Sequence, residues 1–522
     1  MAKIKKFPTQ IGLFALIMAN ISTMIGSGWL FGAWKAARLA GPAAILAWPI
    51  GAFAMMLLAF SYAELGSRYP ATGGMVRYTQ LTHGTFAGFI AGWANWIAIV
   101  SVIAIEAVSS IQYLSAWHYS WTQKLYDVAA HQLTTSGLIL AAILIVIYFL
   151  LNYWSVKLFI RSMVTLTIFK IIVPILTAVM LCFAAIHTQH FDLQHKAFMP
   201  YGMSGVLTAV ATAGIIFSFH GFQSAINLSG EAKKPKRNVP LAIFISMLVV
   251  FVLYLVLQIV FVGTLNITDL QQGWRNLQLN APYVHLALAF NFNWLVILLY
   301  IDAFISPSGT GITYTATTAR MLQGIQYNGF MPNFVGKLNP KYHIARGALW
   351  INLAVSFLFL YLFRGWSALV AVISVATIIS YVNGPVSAMS LHQRLSTQHV
   401  PLRIMGLPLI APLAFIMISL ILYWARWPLT GQVILIMLVG LPIYFYYQLK
   451  KSAASLSKEI KHGIWLPCYL CTIALISYLG STTFGGHGYL DTFSSIILII
   501  IVAVFYYTMG LKSKLPYRKL KH

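Results

Sequence analysis

The residues of this chain that could do chemistry lie inside apolar runs, where each is costly to place. Lys170 is the only formal charge between Ser162 and Ile186, Glu106 lies deep in a second apolar run, and Asp302 opens a stripe of hydroxyls, Tyr300-Ile-Asp-Ala-Phe-Ile-Ser-Pro-Ser-Gly-Thr-Gly311. An ionisable group at membrane depth is expected to face a partner or a water-filled cavity. A lysine in such surroundings can exchange protons near neutral pH. The alternative is a lysine fixed as the permanent partner of Asp302 or Glu106, and Glu106 itself reads as a structural pair member or a pathway residue.

Two glycine-bearing interruptions accompany these charges. Asn20-Ile-Ser-Thr-Met-Ile-Gly-Ser-Gly-Trp29 breaks a charge-free run, and Phe217-Ser-Phe-His-Gly-Phe222 places Ser218, His220 and Gly221 where lipid-facing helix would carry Leu or Val. In a bilayer the backbone leaves helical geometry only where it is buried in protein or lines a cavity. Glycine lets the chain unwind without a Cβ penalty. The freed amides of Ser27, Gly28 and Trp29 would then begin a second half-helix, whose partial positive charge and open N–H groups suit a carboxylate. Close helix packing through small residues is the competing reading of the first break taken alone. Two interrupted helices five apart favour the solute site, because they are the mark of an inverted five-plus-five repeat with its site at the repeat interface.

The elements that must position these residues follow from composition. Of 522 residues 59% are hydrophobic and 8% charged, with a mean hydropathy of +0.79, which describes an all-α polytopic membrane protein. The segment Ala2 to Phe7 leads into an apolar run with no small-residue cleavage site, so the first helix is expected to stay. Fourteen spans are predicted, at approximately 10–36, 41–66, 84–114, 136–156, 160–187, 203–231, 239–264, 282–320, 346–363, 366–392, 404–425, 428–449, 464–482 and 492–511. The formal charge of +25 reads as topology: with the N-terminus inside, about 26 of the 34 Lys+Arg fall on the cytoplasmic side. No aromatic-interleaved basic motif supports nucleic acid as a partner. The basic linker 450–463 and tail 512–522 suit contact with anionic lipid.

Other patterns are weaker. Cys182, Cys468 and Cys471 fall in apolar segments without a ligating cluster, so they read as buried small hydrophobes and no metal is expected. Ser308-Gly309-Thr310-Gly311 lacks the lysine of a phosphate loop. Tyr381-Val-Asn-Gly-Pro385 signals a kink, and Glu64 near a helix end, followed by Pro70 and Gly73-Gly74, suits a tight connection with structural and gating duties. The loop carboxylates Asp127, Asp192, Asp269, Glu459 and Asp491 are scattered, which argues against an integral-membrane enzyme.

The run Gly230-Glu-Ala-Lys-Lys-Pro-Lys-Arg-Asn-Val-Pro240 resembles the Gly-Glu-x-x-x-Pro-x-Arg-x-x-Pro signature of amino acid permeases in the amino acid-polyamine-organocation superfamily. Ile25-Gly-Ser-Gly28, Gly41-Pro42, Glu64, Tyr69-Pro70, Gly73-Gly74, Asn152 and Lys170 fall in matching order, over roughly residues 8 to 450. Phe217 to Phe222, Ile301 to Gly311 and two extra C-terminal helices are similar to aspartate-proton symporter-like members.

The resemblance implies a leucine-transporter-like five-plus-five inverted repeat with broken helices 1 and 6. Residues 1–9 would be a cytoplasmic N-terminus, 10–190 the first repeat and 200–395 the second, followed by spans at 404–449, the linker 450–463, spans at 464–511 and a cytoplasmic tail. Ile25, Gly26, Ser27 and Gly28 would bind a substrate α-carboxylate, and backbone carbonyls around Phe217, Ser218 and Phe219 its α-ammonium. Lys170 would occupy the place of a sodium ion, between helix 1 and the hydroxyls of helix 8 near Ser306, with Asp302 beside it, making sodium dependence unexpected. Glu64, Glu106, Glu231 and Arg237 would serve gating or structure. His220 departs from the acidic or apolar residue common at its position and is a candidate cation for an acidic side chain. Glu106 and Asp302 could instead suit a cationic substrate or polyamine. The expected activity is proton-coupled amino acid uptake across the bilayer of a bacterial inner membrane by alternating access, with no cofactor and no obligatory protein partner. An exchanger of the same fold and a non-transporting membrane sensor are the alternatives.

Overall fold

The computed structural model describes residues 11–68, 74–154, 157–184, 186–192, 198–340, 342, 344–393, 404–451 and 453–516. The predicted terminus 1–9, Tyr69-Pro70 and Gly73 of the matched motif, and residues 517–522 of the tail lie outside the described residues. The protein is predominantly helical. In chain order the helices are α1 Leu13–Met24, α2 Gly28–Ala40, α3 Ala44–Arg68, α4 Gly74–Leu114, α5 Ser120–Gln123, α6 Thr135–Trp154 and α7 Lys157–Cys182. There follow α8 Gly202–Thr212, α9 Ile215–Ser218, α10 Gln223–Asn227, α11 Pro235–Thr264, α12 Pro282–Ala289, α13 Asn293–Tyr327, α14 Asn333–Gly336 and α15 Arg346–Leu362. The last are α16 Trp366–Tyr381, α17 Asn383–His392, α18 Leu407–Trp424, α19 Leu429–Leu438, α20 Leu441–Lys451, α21 Ala453–Gly463, α22 Trp465–Leu479 and α23 Thr492–Lys512.

Among the described residues nine helical segments are long and apolar enough to cross a membrane, or ten if Leu456–Gly463 and Trp465–Leu479, bent by 47°, form one span. Four shorter apolar helices, Leu13–Met24, Thr167–Cys182, Gly202–Thr212 and Arg346–Leu362, make up part of the difference from fourteen. Two of them are short because the chain breaks where glycines permit it. Helix α1 stops at Ile25, which is extended (φ −88°, ψ 91°), and α8 gives way at Gly214 in left-handed geometry (φ 92°) that a side chain would oppose.

The span predicted at 282–320 divides into α12 and α13, and α13 continues to Tyr327. Asn291 adopts φ 57° between them, and the Phe292 amide donates to the Ala287 carbonyl at 2.8 Å. Asparagine is among the few side chains that tolerate this region, so Asn291, one of two asparagines in an otherwise apolar run, suits the division.

Burial sorts the helix faces. On α6, Ile139, Ile143, Ile147 and Leu151 point outward at i,i+4 spacing, while Ala141, Ile145, Tyr148 and Asn152 are buried. An outward apolar stripe of this kind suits lipid. The three cysteines are exposed rather than buried, a correction to the sequence reading: residues in an apolar segment can as well face hydrocarbon as protein. Helices α4 and α16 pack along each other in the interior, and nearly all of α4 from Tyr78 onward is buried. A short antiparallel pair, Tyr126–Asp127 with Gln132–Leu133, ties the α5–α6 connection.

Candidate solute site

The first break is held open by side chains of other helices. Between α1 and α2 the Ser27 amide donates to Glu106 Oε2 on α4 at 2.9 Å, and Trp366 Nε1 of α16 donates to the Ser27 hydroxyl at 3.0 Å. Tyr254 on α11 donates to the Met24 carbonyl at 3.1 Å. Among the described residues the amides of Gly28 and Trp29 have no backbone acceptor, as expected for the first turn of a half-helix. The space here is tight: a Cβ on Gly26 would lie 2.5 Å from Glu106 Oε1, and one on Gly28 would lie 2.7 Å from Ser218 Oγ. Glu106 Oε1 is buried without a hydrogen-bond partner.

The second break faces the first. Helix α9 is a single turn, and residues 219–222 form turns before α10 begins. The Ser218 hydroxyl donates back to the Gly214 carbonyl at 2.8 Å. The His220 amide occupies the Phe217 carbonyl at 3.0 Å, while no described backbone amide donates to the carbonyls of Ser218 or Phe219. Asn20 links the two breaks, its Oδ1 accepting from the Ala225 amide at 2.8 Å and its Nδ2 donating to Ser246 at 3.1 Å. Thr23 donates to the Gly221 carbonyl at 3.1 Å. The His220 ring stacks on Tyr314, at 5.8 Å between centroids, and Tyr314 donates to the His220 carbonyl at 3.0 Å. Gln223 Nε2 lies 3.2 Å from His220 Nε2, and its Oε1 accepts from Tyr381. His220 Nδ1 has no partner.

Lys170 connects these breaks to α13. Its ammonium donates to the Ser22 carbonyl at 2.8 Å and to the Thr310 hydroxyl at 2.9 Å. The expected hydroxyl was near Ser306, and it is Thr310, one turn further on, that takes the contact. Ser306 instead donates to Asp302 Oδ1 at 2.8 Å, and Trp29 Nε1 donates to Asp302 Oδ2 at 3.1 Å. Among the described residues neither Glu106 nor Asp302 forms an ion pair with Lys170 within 4 Å. The fixed-partner alternative in its direct form is therefore not what this arrangement contains. Lys170, Glu106, Asp302, Ser27 and His220 are each 1% exposed or less.

The remaining sequence candidates sit elsewhere. Glu64 at the end of α3 is buried, with Oε1 2.8 Å from His392 Nδ1 of α17 and Oε2 accepting from the Ile404 amide at 3.0 Å. Glu231 lies in the loop after α10, where its carbonyl accepts from the Ile11 amide at 3.1 Å and the Lys233 amide returns to Ile11 at 2.8 Å. Arg237 is exposed in the first turns of α11. Neither Glu231 nor Arg237 is brought to the breaks.

A family model described as amino acid permease matches residues 11–506. The chain belongs to the amino acid permease family. This permease is 52% identical over 505 residues to the glutamate/serine transporter AimA of Bacillus subtilis, covering 97% of this chain and 94% of that protein. It is 34% identical over 508 residues to the aspartate-proton symporter of the same organism, covering 97% and 96%. It is also similar to the branched-chain amino acid permease BcaP of B. subtilis, at 24% identity over 454 residues and 86% of this chain. These relatives are transporters, in keeping with a protein that is not an enzyme.

Sequence reasoning missed the side chains of Thr310, Trp29, Trp366, Tyr254 and Asn20 as members of the candidate site. Thr310 and Asn20 were in view, as one hydroxyl of a stripe and one polar residue of a break. The tryptophans and Tyr254 had no signal, because an indole or phenol inside an apolar run reads the same whether or not its N–H or O–H finds a partner.

Proposed function

We propose that this permease is a secondary active transporter that takes up an amino acid together with protons by alternating access. The observation that carries the reading is that Lys170 donates both to the Ser22 carbonyl, beside the first break, and to Thr310 on α13, so that one ionisable group spans two helices around the site. A proton leaving or joining Lys170 would change the hold of α13 on α1. That is the differential interaction a coupled conformational change requires.

The substrate α-carboxylate would bind the amides of Ile25, Gly26, Ser27 and Gly28, and the α-ammonium the carbonyls around Phe217, Ser218 and Phe219. Half-helix termini at midplane breaks serve anionic and cationic groups in this way. An acidic side chain would approach His220. The names of the two most similar relatives reported above, glutamate/serine transporter and aspartate-proton symporter, support an oxygen-bearing side chain. Asp302 and Ser306 would complete the coupling group, and Glu64, Glu106, Glu231 and Arg237 would act in gating or structure.

The same reading organises the chain as a five-plus-five inverted repeat, 10–190 and 200–395, with four further spans within 404–511. On this reading the broken and short helices would be counted as crossings too, for a total of fourteen. The distribution of basic residues supports placing both termini, the linker 450–463 and the tail in the cytoplasm of a bacterial cell.

The test is uptake of radiolabelled amino acids into proteoliposomes with an inward proton gradient, with and without sodium and with and without internal substrate. Accumulation of glutamate, aspartate or serine driven by protons alone is expected. Movement only with internal substrate would replace symport by exchange, and binding without movement would make the protein a sensor.

A further inference from the structure

Helix α4 contains one residue with non-helical geometry, Gly84, at φ 84° and ψ −173°. A bend of this kind takes backbone groups out of the helical ladder, and each needs a partner elsewhere when buried. Both partners come from the C-terminal part of the chain. The Thr85 amide donates to Glu459 Oε2 on α21 at 2.6 Å, and the Thr85 hydroxyl donates to the same oxygen at 2.9 Å. The Thr82 carbonyl accepts from the Leu515 amide, beyond α23, at 2.8 Å.

The surrounding contacts reinforce this arrangement. Tyr444 of α20 lies 3.0 Å from the Thr85 hydroxyl, His83 Nε2 lies 2.9 Å from the Gly510 carbonyl, and His462 Nδ1 lies 2.6 Å from the Ser513 carbonyl. Gly463 at the end of α21 packs so closely that a Cβ would lie 2.8 Å from the Phe86 ring. On the other side of the bend the Thr82 hydroxyl is 3.0 Å from Ser387 on α17, the helix whose His392 meets Glu64.

We infer that Glu459 is a positioning residue for the transport cycle: with the 513–515 segment it holds the bend at Gly84, and so sets the segment Gly74–His83 against α17. The acceptor for the second part of α4 is supplied in trans, as an N-cap side chain supplies it in cis. Without it the Thr85 amide has a reason to return to the helical ladder, and a straightened α4 would carry Gly74–His83 away from α17. The basic linker, expected to contact anionic lipid, would thereby also serve as an internal brace. The inference concerns a residue remote from the breaks, and it uses the transport reading only for its activity readout.

The experiment compares full-length wild type, Glu459→Ala, Gly84→Ala and the double variant by hydrogen–deuterium exchange and by uptake kinetics in proteoliposomes. Gly84→Ala tests the same bend from the other side, since its Cβ would lie 2.5 Å from Glu459 Oε2 and φ 84° opposes any side chain. Glu459→Ala is expected to raise exchange at residues 82–86 about ten-fold, the loss of a charge-assisted hydrogen bond. Vmax is expected to fall several-fold, with KM held within about two-fold because the breaks are untouched. Glu459→Gln, whose amide oxygen still accepts, should recover most of both, and the double variant should be no worse than the stronger single one. Should alanine at 459 prevent folding, Glu459→Asp, one methylene short of Thr85, carries the same expectation. Wild-type exchange at 82–86, unchanged Vmax, a loss confined to KM, or additive effects in the double variant would each overturn the inference. A wild type that moves no amino acid would sink the transport reading alone, and the exchange measurement would still decide the brace.

Discussion

Lys170 Nζ lies 2.8 Å from the Ser22 carbonyl, so a side chain of α7 closes on the backbone of α1 three residues before that helix ends at Ile25. A buried ammonium with two good acceptors, the second being Thr310 at 2.9 Å, is anchored by charge-assisted bonds worth roughly 1.5–3 kcal/mol each. Lys170→Ala is expected to abolish proton-driven uptake while leaving some exchange of internal for external substrate. Uptake and counterflow measured in the same proteoliposomes separate the two, and wild-type behaviour in both would remove Lys170 from the mechanism.

The first break should tolerate no added side chain. A Cβ on Gly26 would meet Glu106 Oε1 at 2.5 Å and Thr310 Oγ1 at 3.1 Å. Gly26→Val is expected to weaken substrate binding at least about ten-fold, by displacing the carboxylate that holds the Ser27 amide. Ser27→Val should do the same by removing the acceptor of Trp366 Nε1. Equilibrium binding of the best-transported amino acid reads this, and wild-type affinity in either variant would make the break a packing device.

The candidate site was legible in outline because its signals are exclusions. Gly26, Gly28, Ser218 and Lys170 stand out in apolar runs since a bilayer penalises them, and the structure brings Gly28 beside Ser218 and Lys170 beside the first break. What was not legible depends on distances between helices. Nothing in the spacing of Ser306 and Thr310, one turn apart on the same face, says which hydroxyl faces Lys170. The division at Asn291 and the bend at Gly84 each turn on a single residue, too little to alter a hydropathy profile averaged over a span.

Specificity should respond to His220. Its Nδ1 is buried without a partner while Nε2 is engaged with Gln223, and an unmet polar atom at the second break is costly unless a ligand uses it. His220→Ala is expected to reduce uptake of glutamate and aspartate about ten-fold more than uptake of serine, the difference a lost charge-assisted contact makes. Equal losses for all three in competition assays would place His220 outside side-chain recognition.

Outside the membrane, Asp491 caps α23 by accepting from the amides of Phe493 and Ser494. The hydrogen bonds from Ser494 hold its carboxyl below the usual carboxylate range. A group whose folded value is depressed adds stability above its unfolded value, lost as pH falls through the folded one. Asp491→Ala is therefore expected to melt below wild type at pH 7, with the gap closing below about pH 4. A gap that stays constant down to pH 3 would mean that the cap acts without its charge.

Glu64 should matter more than any exposed charge. Its carboxylate is 1% exposed and holds both His392 of α17 and the Ile404 amide ahead of α18, so one side chain of α3 joins three parts of the chain. Removing the carboxylate takes a buried acceptor away from His392 and from the Ile404 amide at once, and losing a buried hydrogen bond costs about 1–3 kcal/mol. Glu64→Ala is thus expected to lower the melting temperature of the detergent-solubilised protein clearly, whereas Glu64→Gln, still able to accept from Ile404, should lose less. If Glu64 serves gating as well as structure, Glu64→Gln will fold and bind substrate yet turn over more slowly. Normal turnover in Glu64→Gln together with a lowered melting temperature in Glu64→Ala would confine Glu64 to structure.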